Sequence, residues 1–430
     1  MGGITMRAIP RRLGIVHESK KSPGFLLLTL VILVPLATAV PALAQQPPPC
    51  GSITDELVRT PPGHKTFAPP AKGQSYIDPV FGCRVKRLTD AASEGVGQLT
   101  HAYSSVSPFN ADSTRVLILR GDGIMSVRDL NGAIVRDNLY RRGIVLTGDP
   151  VWSRTDPNVL YFHTSPGNQL MSYSVASDAT ALLHTFTDYA KISFGNGEGD
   201  LSWDGDHLAV IGDDRYGFMY TLSTQAVTSA RDLLAMTGGA PVDMVDTTPS
   251  NRFMLRWGDI RGGIALWEAA MAPLGRITTF AGHSDRAKDR DGTDVEVVAT
   301  AVAPSGTCKA GVAKVRYADR AQTCLRSLDW TLVLHVSCNN IGQGWCLIST
   351  YSGHTPSTTW PAYTNEVFQV KLDGSQTTRL AHTRSTNSAY WRTPRAAVSP
   401  DGKYVLFDSD MQGPTVDVYL LSLPRASAPD

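Results

Sequence analysis

Histidine, acidic and arginine side chains recur along this sequence a few residues before each of a series of polar turns. The series comprises His101 with Tyr103, Asp149, Glu198, Asp243 or Asp246, His283 with Asp285, His335, and Arg392 with Arg395. If such groups were brought together, they could bind a polar ligand or exchange protons with it. Each one alone is more typical of a structural hydrogen bond or ion pair. The functional signal therefore lies in the set as a whole.

One chemistry open to this set is β-elimination on a uronate sugar, which needs three groups. A cation must neutralise the sugar carboxylate, and Arg392 or Arg395 suits this role because a guanidinium binds a carboxylate through two hydrogen bonds. An acid must protonate the leaving oxygen, and Tyr103 suits that role. A base must remove the proton next to the carboxylate, and the candidates are His101, His283 and His335. The sequence thus allows a polysaccharide lyase.

Two other function classes remain open. The same side chains could form a polar docking surface in a non-catalytic protein that binds a protein or a glycan. A glycoside hydrolase would instead use a carboxylate pair such as Glu198 and Asp285, whose separation decides the mechanism. A divalent metal, Mn²⁺ or Ca²⁺, is a further expectation. Its predicted ligands are His283, Asp285, His335 and Glu198. Tryptophans that could stack on sugar rings are Trp152, Trp345, Trp360 and Trp391.

Several better-known catalytic motifs do not occur in the sequence. It has no G-x-S-x-G elbow, no H-E-x-x-H and no C-x-x-C, which speaks against serine hydrolases, zincins and thiol oxidoreductases. The run 289–294, DRDGTD, resembles a calcium loop but lacks the EF-hand spacing, so it favours a turn. The run 195–199, GNGEG, is not followed by the Lys and Ser or Thr of a phosphate loop.

The candidate residues precede copies of one small repeat: a polar segment, an apolar strand, a Ser-Pro or Asp-Gly turn and a second apolar strand. The clearest copy is PRAAVSPDGKYVLFDSDM, residues 394–411. Other copies begin near His101, Gly148, Glu198, Val245, Gly282 and His335. Seven copies at intervals of roughly 40 to 60 residues predict a seven-bladed β-propeller of four-stranded antiparallel blades. In such a ring, residues at the start of each innermost strand converge on the central channel.

Ring closure and domain limits follow from the ends of the chain. The segment 83–90, CRVKRLTD, predicts a strand that closes the ring beside 416–423, VDVYLLSL, and so removes a free sheet edge. We expect one propeller domain over 83–430, an exposed N-terminal extension over 45–82, and a signal peptide over 1–44. Helical periodicity is almost confined to SARDLLAM around Arg231, which predicts one short helix.

The repeat SPDGKYVLF and its relatives resemble the TolB-like and WD40-like propellers of bacteria. The wider layout resembles the oligogalacturonate lyase propeller, a family that cleaves pectic oligosaccharides by β-elimination with a divalent metal near the ring centre. In that family a Gln and paired His precede the turn of the last blade. The corresponding stretch here is 390–395, YWRTPR, which has neither residue type. The resemblance therefore implies the fold, whereas metal use and pectin specificity do not carry over.

The N-terminus and the cysteines predict export. Residues 1–44 contain basic residues from Arg7 to Lys21, the apolar run Phe25–Val34 and the cleavage signature Ala42–Ala44. An uncleaved anchor helix is the alternative, but the apolar run is short for a bilayer span. Of the many pairings that six cysteines allow, proximity favours Cys50–Cys83, Cys308–Cys324 and Cys338–Cys346.

Composition and charge limit the kinds of partner that the chain can bind. With 42% hydrophobic and 18% charged residues the chain is globular rather than disordered. Loss of residues 1–44 would change the net charge from +1 to −3, because five basic residues and Glu18 would go. Such a charge offers no field for nucleic acid. We expect a secreted or periplasmic monomer that binds a polysaccharide or oligosaccharide, with no nucleic-acid partner and no membrane attachment after cleavage.

Overall fold

Short strands of β-branched and aromatic residues, separated by Gly, Asp and Asn turns, form most of the regular structure. A computed structural model describes residues 46–258, 262–279, 282–300, 308, 310–353 and 360–424. The predicted signal peptide lies outside the described residues. Seven antiparallel sheets follow one another along the chain, which confirms the predicted seven-bladed propeller.

The first half of the ring begins with a hairpin and continues through three blades. The hairpin is β1 (Ser75–Ile77) and β2 (Arg84–Arg87). Blade 1 contains β3 (Leu99–Thr100), β4 (Arg115–Arg120), β5 (Met125–Asp129) and β6 (Ile134–Arg136). Blade 2 contains β7 (Val151–Trp152), β8 (Val159–His163), β9 (Gln169–Ser174) and β10 (Ala179–Thr185). Blade 3 contains β11 (Ile192–Ser193), β12 (His207–Gly212), β13 (Tyr216–Thr221), β14 (Ala226–Val227) and β15 (Arg231–Asp232).

The second half contains four blades. Blade 4 contains β16 (Val242–Thr247), β17 (Phe253–Trp257), β18 (Gly263–Trp267) and β19 (Pro273–Thr278). Blade 5 contains β20 (Ser284–Lys288), β21 (Asp294–Thr300), β22 (Gly311–Arg316) and β23 (Gln322–Ser327). Blade 6 contains β24 (Val333–Ser337), β25 (Trp345–Tyr351), β26 (Glu366–Lys371) and β27 (Thr377–His382). Blade 7 contains β28 (Ala397–Val398), β29 (Tyr404–Ser409) and β30 (Asp417–Ser422).

Helical structure is sparse among the described residues. The predicted short helix is present as α1 (Leu233–Met236), and Asp232 caps it by accepting a hydrogen bond from the Ala235 amide. Three 3₁₀ segments, Leu139–Arg142, Leu146–Gly148 and Tyr390–Arg392, lie in the connections between blades. The run 289–294 forms the turn between β20 and β21, as predicted, with the Gly292 amide donating to the Asp289 carbonyl.

The N-terminal hairpin closes the ring. β2 pairs antiparallel with β30, with Val85 opposite Leu421 and Arg87 opposite Tyr419, which confirms the predicted closing strand. Blade 7 therefore has five strands, in the order β1-β2-β30-β29-β28, rather than the predicted four. Since β1 begins at Ser75, the sheet also starts upstream of the boundary predicted at residue 83.

The core is divided among the interfaces between neighbouring blades. Each of the seven interfaces holds its own cluster of buried apolar side chains in the described structure. The cluster between blades 5 and 6, for example, contains Val297, Val336 and Phe368 at 0% exposure. Because every blade packs on two neighbours, the strands facing the channel are held rigidly and can position a site.

Residues 46–67, here called the N-terminal strap, run against blades 6 and 7 rather than extending freely from the ring. The Arg379 amide bonds the Ile53 carbonyl, and its buried guanidinium donates to the Leu57 carbonyl at 2.7 Å. Gly82 has φ 73°, and a Cβ there would lie 1.6 Å from the Pro48 carbonyl oxygen. The strap and blade 7 thus approach so closely that only glycine fits at this contact.

All three predicted disulfides are present, linking Cys50 to Cys83, Cys308 to Cys324 and Cys338 to Cys346. The first ties the strap to the hairpin that closes the ring. Three disulfides are typical of proteins from an oxidising, exported environment. Within the described ranges, no helix is both long and apolar enough to span a bilayer.

Candidate functional site

The innermost strand of each blade starts at one face of the ring, and the second strand returns to that face. In blade 4, Val242 at the start of β16 pairs with Trp257 at the end of β17. In blade 6, Val333 at the start of β24 pairs with Tyr351 at the end of β25. Side chains at both positions therefore meet at the same mouth of the channel.

Tyr103 crosses the channel at this mouth. It follows the first strand of blade 1, yet its ring contacts His283 of blade 5 and His335 of blade 6, with centroids 6.0 and 5.5 Å apart. Both contacts are edge-to-face, an arrangement that aromatic rings favour. Since blades 5 and 6 are not neighbours of blade 1 in the ring, the tyrosine spans the axis and forms a floor to the mouth.

Two histidines and a second tyrosine complete this floor. The rings of His283 and His335 stack with centroids 4.6 Å apart and an interplanar angle of 7°. On its other side His335 stacks with Tyr351 at 4.9 Å. We call Tyr103, His283, His335 and Tyr351 the rim cluster.

The histidines of the rim cluster are neutral near pH 7. Burial lowers the pKa of His283, and burial lowers that of His335 well below its usual value, with the nearby His283 and Arg395 acting in the same direction. His283 Nδ1 lies 2.7 Å from the Leu334 carbonyl oxygen, which can only accept, so Nδ1 carries the proton. Its Nε2 is then the unprotonated ring nitrogen.

A buried arginine joins blades 3, 4 and 5 beside the rim cluster. Arg256 Nε donates to Asp243 Oδ2 at 2.6 Å, and Arg256 Nη2 donates to Glu198 Oε2. Its Nη1 donates to Ser284 Oγ at 3.2 Å. Burial raises the pKa of Glu198, and Arg256 opposes this rise. We call Arg256, Glu198 and Asp243 the arginine clamp.

The Gly-rich run 195–199 positions Glu198 within the clamp. Gly195 has φ 73°, and a Cβ there would lie 2.2 Å from the Val245 carbonyl oxygen of blade 4. The loop therefore lies directly against the neighbouring blade, which only glycine allows. This close approach brings Glu198 of blade 3 to Arg256 of blade 4.

Three of the four candidates in blades 1 and 7, His101, Arg392 and Arg395, lie against buried carboxylates. Arg395 Nη2 donates to Asp408 Oδ2 at 2.6 Å, and His101 Nε2 lies 3.8 Å from the other oxygen of that carboxylate. All three side chains are at most 1% exposed, and burial lowers the pKa of His101. Arg392 donates to Asp410 Oδ2 at 2.6 Å and to the Gly413 and Pro414 carbonyls. Arg395 and His101 are therefore inaccessible to a ligand carboxylate, and the charge of the partly exposed Arg392 is already paired.

The remaining acidic candidates are buried and paired with groups from neighbouring blades. Asp246 and Asp285 share the Arg286 guanidinium, at 2.5 and 3.2 Å from its Nη1, and all three are nearly inaccessible. Asp285 also accepts a hydrogen bond from the Cys338 amide at 2.6 Å. Asp149 accepts from the Phe194 amide at 2.7 Å. These carboxylates stabilise contacts between blades.

The predicted metal ligands do not fit a divalent cation. His283 and His335 face each other ring to ring, Glu198 is bound to Arg256, and Asp285 is bound to Arg286. Among the residues that the structure describes, no three His, Cys, Asp or Glu side chains are grouped to hold a metal. The oxygen and nitrogen lone pairs that a metal would need are already used or point apart.

Three residues of the mouth escaped the sequence analysis. Arg256 and Tyr351 lie at the ends of second strands, whereas the residues predicted from the sequence precede the turns that follow the first strands. Tyr390 is 57% exposed, packs on Trp391, and lies 5.1 Å from the Arg395 guanidinium. The antiparallel pairing of strands one and two was the signal that could have identified the first two.

A small, mostly apolar cavity adjoins the mouth between blades 1, 2 and 3. Its lining includes Leu146 and Pro150. It also includes Ala102, which precedes Tyr103, and Gly197, which precedes Glu198. The mouth thus combines aromatic faces, an apolar recess and carboxylate acceptors, which together suit a ligand with both apolar and hydroxyl-bearing surfaces.

No protein-family model matches the chain, and no curated protein matches it. Among solved structures, an oligogalacturonate lyase in complex with manganese is similar, with 15% identity, coverage of 82% of this chain and 96% of that chain, and a TM-score of 0.57. An oligogalacturonate lyase from Vibrio parahaemolyticus has 13% identity, coverage of 82% and 97%, and a TM-score of 0.57. The WD40 domain of Neurospora crassa Pan2 has 9% identity, coverage of 80% and 96%, and a TM-score of 0.48. The resemblance of the wider layout to the oligogalacturonate lyase propeller is confirmed at the level of the fold.

Proposed function

We propose that this chain is an exported propeller that binds a saccharide at the mouth of its channel without cleaving it. The observation that carries the proposal is the rim cluster, in which rings from blades 1, 5 and 6 pack on one another across the axis, with His283 and Tyr351 partly exposed above the buried Tyr103 and His335. The exposed Tyr390 adds a further aromatic side chain at the same mouth.

This combination of groups suits a sugar. One face of a pyranose ring presents mainly C–H groups, which pack on aromatic rings, while its edge presents hydroxyls. Asp243 is half-exposed and its Oδ2 is bound to Arg256 Nε, so the carboxylate is held in place as an acceptor for a hydroxyl. Rings and acceptors fixed before binding reduce the entropy lost on association.

β-Elimination is the second candidate, and the pair of His283 and Tyr103 favours it. The neutral His283 keeps a lone pair on Nε2, and burial keeps Tyr103 protonated by raising its pKa well above its usual value. A base and an acid are therefore adjacent. The third requirement speaks against this candidate, because Arg392 and Arg395 are both occupied by buried carboxylates.

The proposal includes no metal. The similar oligogalacturonate lyase was solved with manganese, but in this chain the candidate carboxylates Glu198 and Asp285 are each bound to an arginine. Mn²⁺ or Ca²⁺ would have to compete with a buried guanidinium for either carboxylate and would bring a second positive charge beside it, at a cost in free energy.

Export, a monomeric state and the lack of a nucleic-acid partner belong to the same proposal. The three disulfides support an oxidising compartment. The closed sheet of blade 7 supports a self-sufficient monomer, because ring closure leaves no open first or last blade to pair with another chain.

The test is calorimetric titration of the purified protein with a panel of plant, algal and bacterial oligosaccharides, followed by chromatography of each recovered ligand. We expect saturable binding of at least one member, with the ligand recovered intact. Recovery of products with a conjugated, ultraviolet-absorbing unsaturated end would establish the lyase instead. Failure of every member of the panel to bind would contradict the proposal.

A further inference from the structure

The arginine clamp carries an excess of negative charge at the channel mouth. One guanidinium, Arg256, is bound by two carboxylates, Glu198 and Asp243. The guanidinium is 3% exposed, whereas the side chains of Glu198 and Asp243 are 23% and 45% exposed. A ligand at the mouth therefore meets the carboxylates first, and the positive charge lies behind them.

The neighbouring ion pairs do not reverse this excess. Arg395 is matched by Asp408, and Arg392 by Asp410. The rim histidines are neutral because burial lowers the pKa of both. Within the described part of the mouth, each guanidinium thus has at least one carboxylate partner. The arginine clamp has two carboxylates for one guanidinium and so carries one net negative charge.

We infer that the site binds neutral or amino sugars and discriminates against uronates, an inference that rests on the proposed saccharide function. A hydroxyl or ammonium group on the ligand can donate to the exposed carboxylates of Asp243 and Glu198. A uronate carboxylate would instead lie near like charges and lose its hydration without gaining a cation. This selectivity is opposite to that expected for a lyase of uronate polymers.

The test compares ligands that differ only at C6. Cello-oligosaccharides are paired with β-1,4-glucuronan oligosaccharides of equal length, and β-1,4-manno-oligosaccharides with β-1,4-mannuronan oligosaccharides. By calorimetry on the full-length mature protein, we expect the neutral member of a binding pair to bind at least about fivefold tighter at low salt, and this ratio to fall as added salt screens the exposed carboxylates.

The Asp243→Asn variant tests whether the arginine clamp is the source of this selectivity. Removing this charge should lower the neutral-to-uronate ratio by about threefold. The control Asp214→Asn removes an exposed carboxylate that is paired with Lys191 in blade 3, outside the clamp, and should keep the wild-type ratio. Equal or tighter binding of the uronate member, or a ratio that salt and Asp243→Asn leave unchanged, would overturn the inference while saccharide binding stands. If no member of either pair and no member of the wider panel binds, the proposed function itself fails.

Discussion

His283 and His335 stack face to face, with ring centroids 4.6 Å apart and planes 7° from parallel. The two residues come from blades 5 and 6, and sequence reasoning assigned both to one metal. Metal coordination needs the nitrogen lone pairs, which lie in the ring planes and so point past each other in a parallel stack. The pair therefore joins two blades as a packing contact and gives the mouth its aromatic floor.

This stack predicts the effect of substitutions at His335, which is 1% exposed and has a ring packed on either side. His335→Ala should lower the free energy of unfolding by about 3 kcal/mol, because it leaves a cavity between two rings. His335→Phe should retain most of the stability, since it keeps both stacking contacts and removes the buried Nδ1, which has no hydrogen-bond partner. Urea unfolding monitored by circular dichroism measures both. An alanine variant as stable as wild type would show that the stack does not hold the blades together.

A pH effect is predicted for the buried group of Asp246, Asp285 and Arg286. Burial raises the pKa of Asp246 to about 8 and that of Asp285 to about 7, although Arg286 opposes the rise in both cases. In the unfolded chain both would titrate near 3.8, so the folded state binds more protons between these values. Their contribution to stability is complete below about pH 4, decreases steadily as the pH rises above it, and the last of it is lost as the pH passes through 7 and 8.

The melting temperature should therefore fall between pH 7 and pH 9, and Asp246→Asn should flatten this fall. The rim histidines do not titrate in that window, because burial lowers their pKa values below the ordinary 6.5. Differential scanning calorimetry at several pH values measures the slope. The exposed variant Asp214→Asn serves as the control and should keep the wild-type slope. A melting temperature that rises over the same window would contradict this assignment.

Removal of divalent metal should leave the protein unchanged. The carboxylates of Glu198 and Asp285 are bound to Arg256 and Arg286, and the described residues of the mouth include no group of side chains that could hold a metal. Dialysis against EDTA should alter neither the melting temperature nor the affinity for a bound saccharide, and elemental analysis should find less than stoichiometric Mn or Ca. A loss on dialysis that Mn²⁺ or Ca²⁺ restores would establish a metal site.

The disulfides should differ in their contribution to stability. Cys50 and Cys83 are 33 residues apart, whereas Cys338 and Cys346 are 8 apart. By the loop-entropy model, replacing the first pair with serine should lower the free energy of unfolding by about 4 kcal/mol and the second by about 2.5 kcal/mol.

The first replacement should also expose the strap to protease, because it removes the covalent link between the strap and the closing hairpin. Limited proteolysis with mass spectrometry would locate early cuts within 46–67. The matched control is the double serine variant of Cys338 and Cys346, which should leave the strap protected. Equal protection in both variants would mean that the contacts of Arg379 with the strap suffice to hold it.

Much of the fold could be predicted because the determining signals are local. The Ser-Pro and Asp-Gly turns mark where each blade begins along the sequence. The short spacing between Cys338 and Cys346 indicates a disulfide within one hairpin. The closing strand could be found because a ring with an unpaired last blade would expose a sheet edge. β1 and the strap were missed because their partners, such as Gly82 with Pro48 and Arg379 with Leu57, are set by tertiary contact.

The site was predicted less completely. The sequence pattern brought Tyr103, His283 and His335 to one mouth, and the structure places them in contact. It could not tell which ionisable groups would already be paired, because Arg395 and Asp408 are adjacent only through the pairing of strands. Residue type and spacing indicate where a side chain lies, whereas the availability of its charge depends on neighbours from other blades.

The most direct test of the saccharide site is the affinity of Tyr390→Ala, measured by calorimetry with the ligand that the wild-type protein binds best. Tyr390 is 57% exposed, so its loss should hardly affect folding, while the loss of one stacking ring should weaken binding by about tenfold. Tyr140→Ala is the matched control, since Tyr140 is 64% exposed on the segment Leu139–Arg142, outside the rim cluster. The account predicts weakened binding for Tyr390→Ala and wild-type binding for Tyr140→Ala. Equal affinities for both variants and the wild-type protein would contradict it.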